Sequence, residues 1–337
     1  MDRNLAASKI ELEAKLIEAD FGNPPFEPAH LHDALKRLIL AGEMVIDLTA
    51  TRGGGKPPII VTTDREKRGR KVDDAMARKR LLMSRYYSYV QGGEDAGASL
   101  TGPAGEAAFQ AAFLRASVGA SLAKVNRGVP SVPQMLGRDV PIGPLDNAFI
   151  LQPLDRISQE PVGPWGTHVL VEVKNVREWI YPRTQELYQV LAKAAALQTT
   201  NPDHNFLPVL VCRRAHITTR FMAKDLGFFV IEARRHYLPE SSLIDPAALT
   251  ELTRELGLTD VVQGTDSTAA IEKRLLTLQR YFDLETALTR WKHFSSSGDF
   301  RKLVNVLYDE QTSNKSRDST LNELRNLSKS LGATLGW

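Results

Sequence analysis

Val169-Leu170-Val171-Glu172-Val173-Lys174-Asn175 is the stretch from which the fold is read. Successive side chains on an extended strand point to opposite faces. Val169, Val171 and Val173 therefore share one face, and Leu170, Glu172 and Lys174 the other. The valines suit a pleated, buried surface, and among them stand an acid and a base two positions apart near the strand's C-terminal end. Working outward, the strand spans His168–Lys174 and a helix over about 182–198 follows it. Strand Val209–Cys212, helix Thr218–Leu226 and strand Phe228–Ala233 come next. A helix over Pro103–Ser117 and strand-like segments at 138–142 and 146–151 precede it. That order predicts an α/β core, a mixed sheet flanked by helices, over 103–239.

Upstream, Ile142-Gly143-Pro144-Leu145-Asp146 supplies a second acid at a strand start after a Gly-Pro turn. Twenty-five residues separate Asp146 from Glu172, enough for a hairpin expected to bring them together. Asp139 and Asp155 are rivals for this role, and Asp146 is preferred for its apolar flanks and the turn before it. Glu178 lies past the strand end and reads as a loop acid. Two carboxylates and a lysine suit phosphodiester hydrolysis, which needs a nucleophilic water and compensation of charge on the phosphate. Mg²⁺, with Mn²⁺ as a substitute, does both when held by carboxylate oxygens with open positions left for water and phosphate. Asp146 and Glu172 are the expected ligands, with the Val173 backbone carbonyl as a third. Lys174 is expected to hold the phosphate or polarise the water, and its ammonium offsets repulsion between the acids.

With Pro144-Leu145-Asp146 and Glu172-Val173-Lys174 in this element order, residues 103–235 resemble the PD-(D/E)XK nuclease superfamily, the restriction-endonuclease-like fold. One extra residue stands between proline and aspartate. The resemblance implies that the opening helix donates a further acid, for which Glu106 is the candidate as catalytic residue and metal ligand. It also implies an auxiliary polar residue on the helix after the Glu-X-Lys strand. Gln185 and Glu186 are candidates, and nothing in the spacing selects among Gln185, Glu186 and Gln189.

The N-terminal 90 residues read differently. Residues 8–20 form an amphipathic helix with Ile10, Leu12, Leu16 and Ile17 on its apolar face. A second helix runs from about Ala29 to Ala41 after Pro28, and strands Met44–Thr49 and Ile59–Thr63 flank a Gly-rich turn tipped by Arg52 and Lys56. Two helices and a basic hairpin resemble a winged helix-turn-helix. Residues 52–85 hold eleven Lys or Arg against four acids, a balance of +7, whereas 1–51 carry −4. Arg52, Lys56, Arg65, Lys67, Arg68, Arg70, Lys71, Arg78, Lys79 and Arg80 are therefore the expected nucleic-acid contacts, since such a cluster neutralises phosphates and releases counterions. The competing reading is a solvated helix face. Tyr86, Tyr87 and Tyr89 follow, with packing the expectation for at least two of them.

Residues 91–102 read as a linker. Beyond Pro239 the pattern is helical, at about 246–256, 267–293, 299–311 and 318–331. This region, 240–337, is expected as a small bundle or a homodimerisation surface. The remaining counts mostly exclude. The chain of 337 residues carries a net charge of only +3, which says little about partners. One cysteine, Cys212, cannot form an internal disulfide or a thiolate zinc site, and the apolar run before it reads as core. Seven histidines show no zinc spacing. The Gly-rich stretch 53–56 lacks phosphate-loop spacing and runs into Pro57 and Pro58. Met1–Glu18 lacks an export-signal layout and no run suits a membrane helix, so a cytoplasmic protein without membrane contact is expected. The functional expectation is a Mg²⁺-dependent endonuclease acting on DNA, in restriction, defence or repair, with a protein partner in a multi-component system as a further expectation. The alternatives are a non-enzymatic DNA-binding regulator or assembly subunit on the same scaffold, and an RNA-directed nuclease.

Overall fold

The structure is a computed structural model and describes residues 5–18, 27–47, 60–63, 69–91, 101–127, 129–152, 154–155, 157–158, 160, 166–239, 245–262, 268–279 and 284–337. The chain divides into two compact units, 1–100 with 238–260, and 101–237 with 261–337.

In the first unit, β1 (Ala6–Ser8) leads into α1 (Lys9–Glu13), which continues as a π-helical turn through Glu18. Ser8 caps it: the Glu11 N–H donates to Ser8 Oγ, and Glu11 Oε2 accepts from the Ser8 N–H. Leu16, expected on the apolar face, lies within the wider π turn, which shifts it off the α-helical face, and it is 45% exposed. Helix α2 (Pro28–Leu40) lays Leu31 and Leu35 against Ala7, Leu12 and Met44. Strands β2 (Met44–Asp47) and β3 (Ile60–Thr63) pair antiparallel, and β1 joins β3 to give the order β1-β3-β2. Helix α3 (Arg70–Gln91) buries Val72, Met76, Leu82, Met83 and Tyr86, spaced along one face.

The second unit is an α/β fold around a five-stranded mixed sheet of order β12-β11-β10-β9-β4. Here β4 is Gly119–Ser121, β9 Asn147–Leu151, β10 Thr167–Lys174, β11 Asn205–Cys212 and β12 Phe229–Glu232. Strands β10, β11 and β12 run parallel, and β9 is antiparallel to β10 and to β4. The expected strand at 138–142 is not in this sheet. Arg138–Asp139 (β8) forms only a two-residue hairpin with Gln134–Met135 (β7), and a second small hairpin joins β5 (Lys124–Asn126) to β6 (Val129–Ser131). The sheet's outer position goes instead to β4, whose Gly-Ala-Ser carries no strand signal. Gly119 permits it, because an added Cβ would lie 2.1 Å from the Ile150 carbonyl oxygen.

Helix α4 (Thr101–Ala116) and α7 (Ala269–Gln279) cover one face of the sheet, packing Phe109, Phe113, Ile271 and Leu275 against Val169, Val171 and Val173. Helices α5 (Gln185–Thr200) and α6 (Ile217–Leu226) link the parallel strands over the other face, where Leu170 and Leu210 point. The alternation read from 169–174 is therefore the alternation observed. Residues expected as one helix over 267–293 form α7 and α8 (Leu284–Ser296). Helices α8, α9 (Gly298–Tyr308) and α10 (Asn314–Ser330) share the core on the α5 side through Trp291, Phe294, Phe300, Val304 and Leu324. The helix Pro246–Leu256 belongs to the first unit. No helix among the described residues is long and apolar enough to cross a membrane.

Candidate active site

Strand register puts the chemistry at one end of the sheet. The last pair between β9 and β10 is Asn147 with Val171. Beyond it β10 continues alone on that side, and the next N–H facing it, that of Val173, donates to Asp146 Oδ2 at 2.7 Å. Asp146 thereby extends the ladder with its side chain and is fixed beside Glu172. A residue's N–H and C=O leave a strand on the same side, so the Val173 carbonyl also points toward Asp146.

Glu172 and Lys174 project toward α5. Glu172 has 0% of its surface exposed, and Lys174 Nζ lies 3.4 Å from Glu172 Oε2. Lys174 Nζ also donates to Gln189 Oε1 at 2.5 Å. Of the three polar residues weighed on this helix, Gln189 is the one that meets Lys174. Gln185 turns away to donate to the Tyr308 carbonyl, and Glu186 is exposed. One turn beyond Gln189 stands a residue that sequence reading missed. Lys193, 1% exposed, donates from Nζ to Glu172 Oε1 and to the Pro144 carbonyl, each at 2.5 Å. The i, i+4 pairing of Gln189 and Lys193 was the available signal, masked by the Ala-rich sequence around it.

Glu106 approaches from the first turns of α4. Gly105 lets that helix close on the strand end, since a Cβ there would lie 2.6 Å from Asn175 Cβ. Asn175 holds the contact, donating from Nδ2 to the Thr101 and Tyr237 carbonyls at 2.6 and 2.7 Å and accepting the Tyr237 N–H at 3.0 Å. Glu106 and Glu172 feel the same field. Burial first, and the Asp146 charge second, push each carboxyl up to about 7, against the opposing pull of Lys174 and Lys193. One turn along α4, Gln110 Oε1 accepts from Asn147 Nδ2 at 2.5 Å, tying the helix to the start of β9.

Among the described residues, no three His, Cys, Asp or Glu side chains converge closely enough to form a metal-holding group. The donors at the strand end are all hard oxygens. Two carboxylates with water and phosphate completing the shell is the arrangement Mg²⁺ ordinarily takes, so the residues fit that ion in chemistry.

The other candidates lie elsewhere. Asp139 is exposed and accepts from Gln134, and Asp155 caps a turn at the Ile157 and Ser158 N–H groups, which lowers its pKa. Glu178 is exposed. His168 stands at the opposite end of β10, edge-on to His204, with burial lowering its pKa. Cys212 is buried in the core as read, and burial raises its thiol pKa. Of the basic cluster, Arg52, Lys56, Arg65, Lys67 and Arg68 lie outside the described residues. Arg70, Lys71 and Arg78 are exposed on α3, and Arg78 pairs with Glu255 at 3.1 Å. Arg80 is half-buried. Lys79 is not a surface cation. It lies within the buried face of α3 and pairs with Glu11 at 2.8 Å, so its charge serves the fold of its own unit. Tyr86 is buried, and Tyr87 and Tyr89 are half-buried.

A mixed sheet with carboxylates and a lysine gathered where its central strand ends defines a class of site. Comparison with family models, curated proteins and solved structures returned no match to this chain.

Proposed function

We propose that the chain is a metal-dependent nuclease of the PD-(D/E)XK superfamily that hydrolyses DNA. The observation that carries the reading is the meeting of Asp146, Glu172 and Lys174 at the C-terminal end of β10, with Gln189 reaching them from α5. Asp146, Glu172 and the Val173 carbonyl would hold Mg²⁺ or Mn²⁺, with Glu106 adjacent. Once bound, the ion supplies Lewis acidity toward a phosphate and a nucleophile at neutral pH. Lys174 sets a positive charge where a phosphate oxygen gathers negative charge, and Gln189 aims the ammonium. Glu106, poised near neutrality, holds or releases a proton at working pH.

In the first unit, the order β1, two helices and then the β2–β3 hairpin, with sheet order β1-β3-β2, supports a winged-helix-like DNA-holding module. Exposed Arg70, Lys71 and Arg78 supply phosphate affinity without sequence information. A cytoplasmic setting, and a role in restriction, defence or repair, accord with this reading.

Plasmid cleavage with Mg²⁺ is the test. Lys174→Ala is expected to lower the cutting rate by about 10²–10³, the usual cost of removing one charge-stabilising donor, while leaving DNA retention unchanged. Full cutting by that variant would sink the site. One observation favours the scaffold reading instead: each Glu172 oxygen already has an ammonium against it. Calorimetry with Mn²⁺ separates the two, since a scaffold takes up no ion. Parallel digestion of RNA decides between the two backbones.

A further inference from the structure

Lys193 stands where an apolar residue would cost less. Its neighbours on α5, among them Val190, Leu191, Ala194 and Leu197, are buried hydrophobics, and the lysine itself is 1% exposed. Taking an ammonium out of water is costly unless it is strongly paired. The pairing here has a particular form. One donor goes to Glu172 on β10 and another to the carbonyl of Pro144, two residues before Asp146. That loop does not hold itself easily. Ile142 sits in the left-handed region at φ 70°, unfavourable for a β-branched side chain. The Leu145 N–H and carbonyl pair with Val132 at 3.1 and 2.8 Å and fix the loop from its other side.

We propose that Lys193 is a positioning residue. Its ammonium clamps the Glu172 carboxylate to the loop carrying Asp146 and sets the spacing at which the two acids take up a dication. The dication rests on the nuclease reading; the clamp itself does not. Removing a positive charge from beside a cation site should by itself tighten cation binding. Lost positioning should weaken it, so the two effects differ in sign.

Full-length wild type, Lys193→Met and Lys193→Arg are titrated with Mn²⁺ by calorimetry, without DNA. Circular dichroism checks that each is folded. Met keeps the length and volume of the side chain, and Arg keeps the charge and serves if Met does not fold. The expected result is affinity at least about tenfold weaker in Lys193→Met, with part recovered in Lys193→Arg. Equal or tighter binding by a folded Lys193→Met overturns the proposal and leaves the nuclease reading standing. Metal-free urea unfolding of Lys193→Met, Glu172→Gln and the double variant supplies a second measurement. If wild type takes up no Mn²⁺, the nuclease reading fails and the clamp is judged by this cycle alone. Non-additive destabilisation supports it; additive destabilisation overturns it.

Discussion

Burial and the Asp146 charge push the Glu172 carboxyl up to about 7 despite the two lysines against it. Glu106 behaves likewise. Both folded pKa values lie above the ordinary 4.5, so between about pH 4.5 and 7 the folded chain keeps protons that the unfolded chain has released. The stability these groups contribute is therefore full below 4.5 and lost as pH rises through about 7. Metal-free urea unfolding should show the margin of wild type over Glu106→Gln shrinking from pH 5 to pH 8; a constant margin contradicts the assignment. Glu172 and Lys174 were legible because strand alternation says which residues share a face. Lys193 was not, because a lysine in a helix ordinarily marks the solvent side. Lys79 misled for the same reason, its burial depending on a distant Glu11 that no local pattern reveals.

At the level of elements, the approach of α4 to the end of β10 decides whether Glu106 joins the cluster. A Cβ at Gly105 would lie 2.6 Å from the Asn175 side chain and push the helix away. Gly105→Ala should destabilise by about 1–3 kcal/mol, the usual cost of overfilling a packed contact, and under the nuclease reading should weaken Mn²⁺ uptake. Urea unfolding and calorimetry read the two effects, and unchanged uptake would show that Glu106 is not needed there. The parallel strands and the helices between them were readable from periodicity. The sheet's outer strand was not: β4 has no β-branched residue and depends on glycine contact with β9, whereas 138–142 looks extended yet forms only a short hairpin. The N-terminal strand β1 escaped for a like reason, since Ala-Ala-Ser becomes a strand only by pairing with β3.

Across the whole molecule, the near-neutral total conceals a separation of charge between sequence segments, and the described part of the basic run sorts into exposed and buried cations. Under the DNA reading, Arg70→Gln with Lys71→Gln should lower the salt dependence of DNA binding by about one to two log units per log unit of salt. Lys79→Met should instead lower the unfolding temperature and leave the salt slope unchanged. Fluorescence anisotropy across a salt series, with thermal unfolding, reads both; a slope that follows Lys79 would return that residue to the surface. The helices beyond α7 carry a further consequence, for the order in which the protein is made. Tyr188, Leu191 and Leu187 on α5 complete their core only with Trp291, Phe300, Val304 and Leu324. During synthesis, Gln189 and Lys193 leave the ribosome well before those residues, so their helix lacks its outer cover until the later segments dock. The cluster around Glu172 is then among the last parts of the nascent chain to mature, and under the nuclease reading phosphate cutting waits until this stretch has been translated.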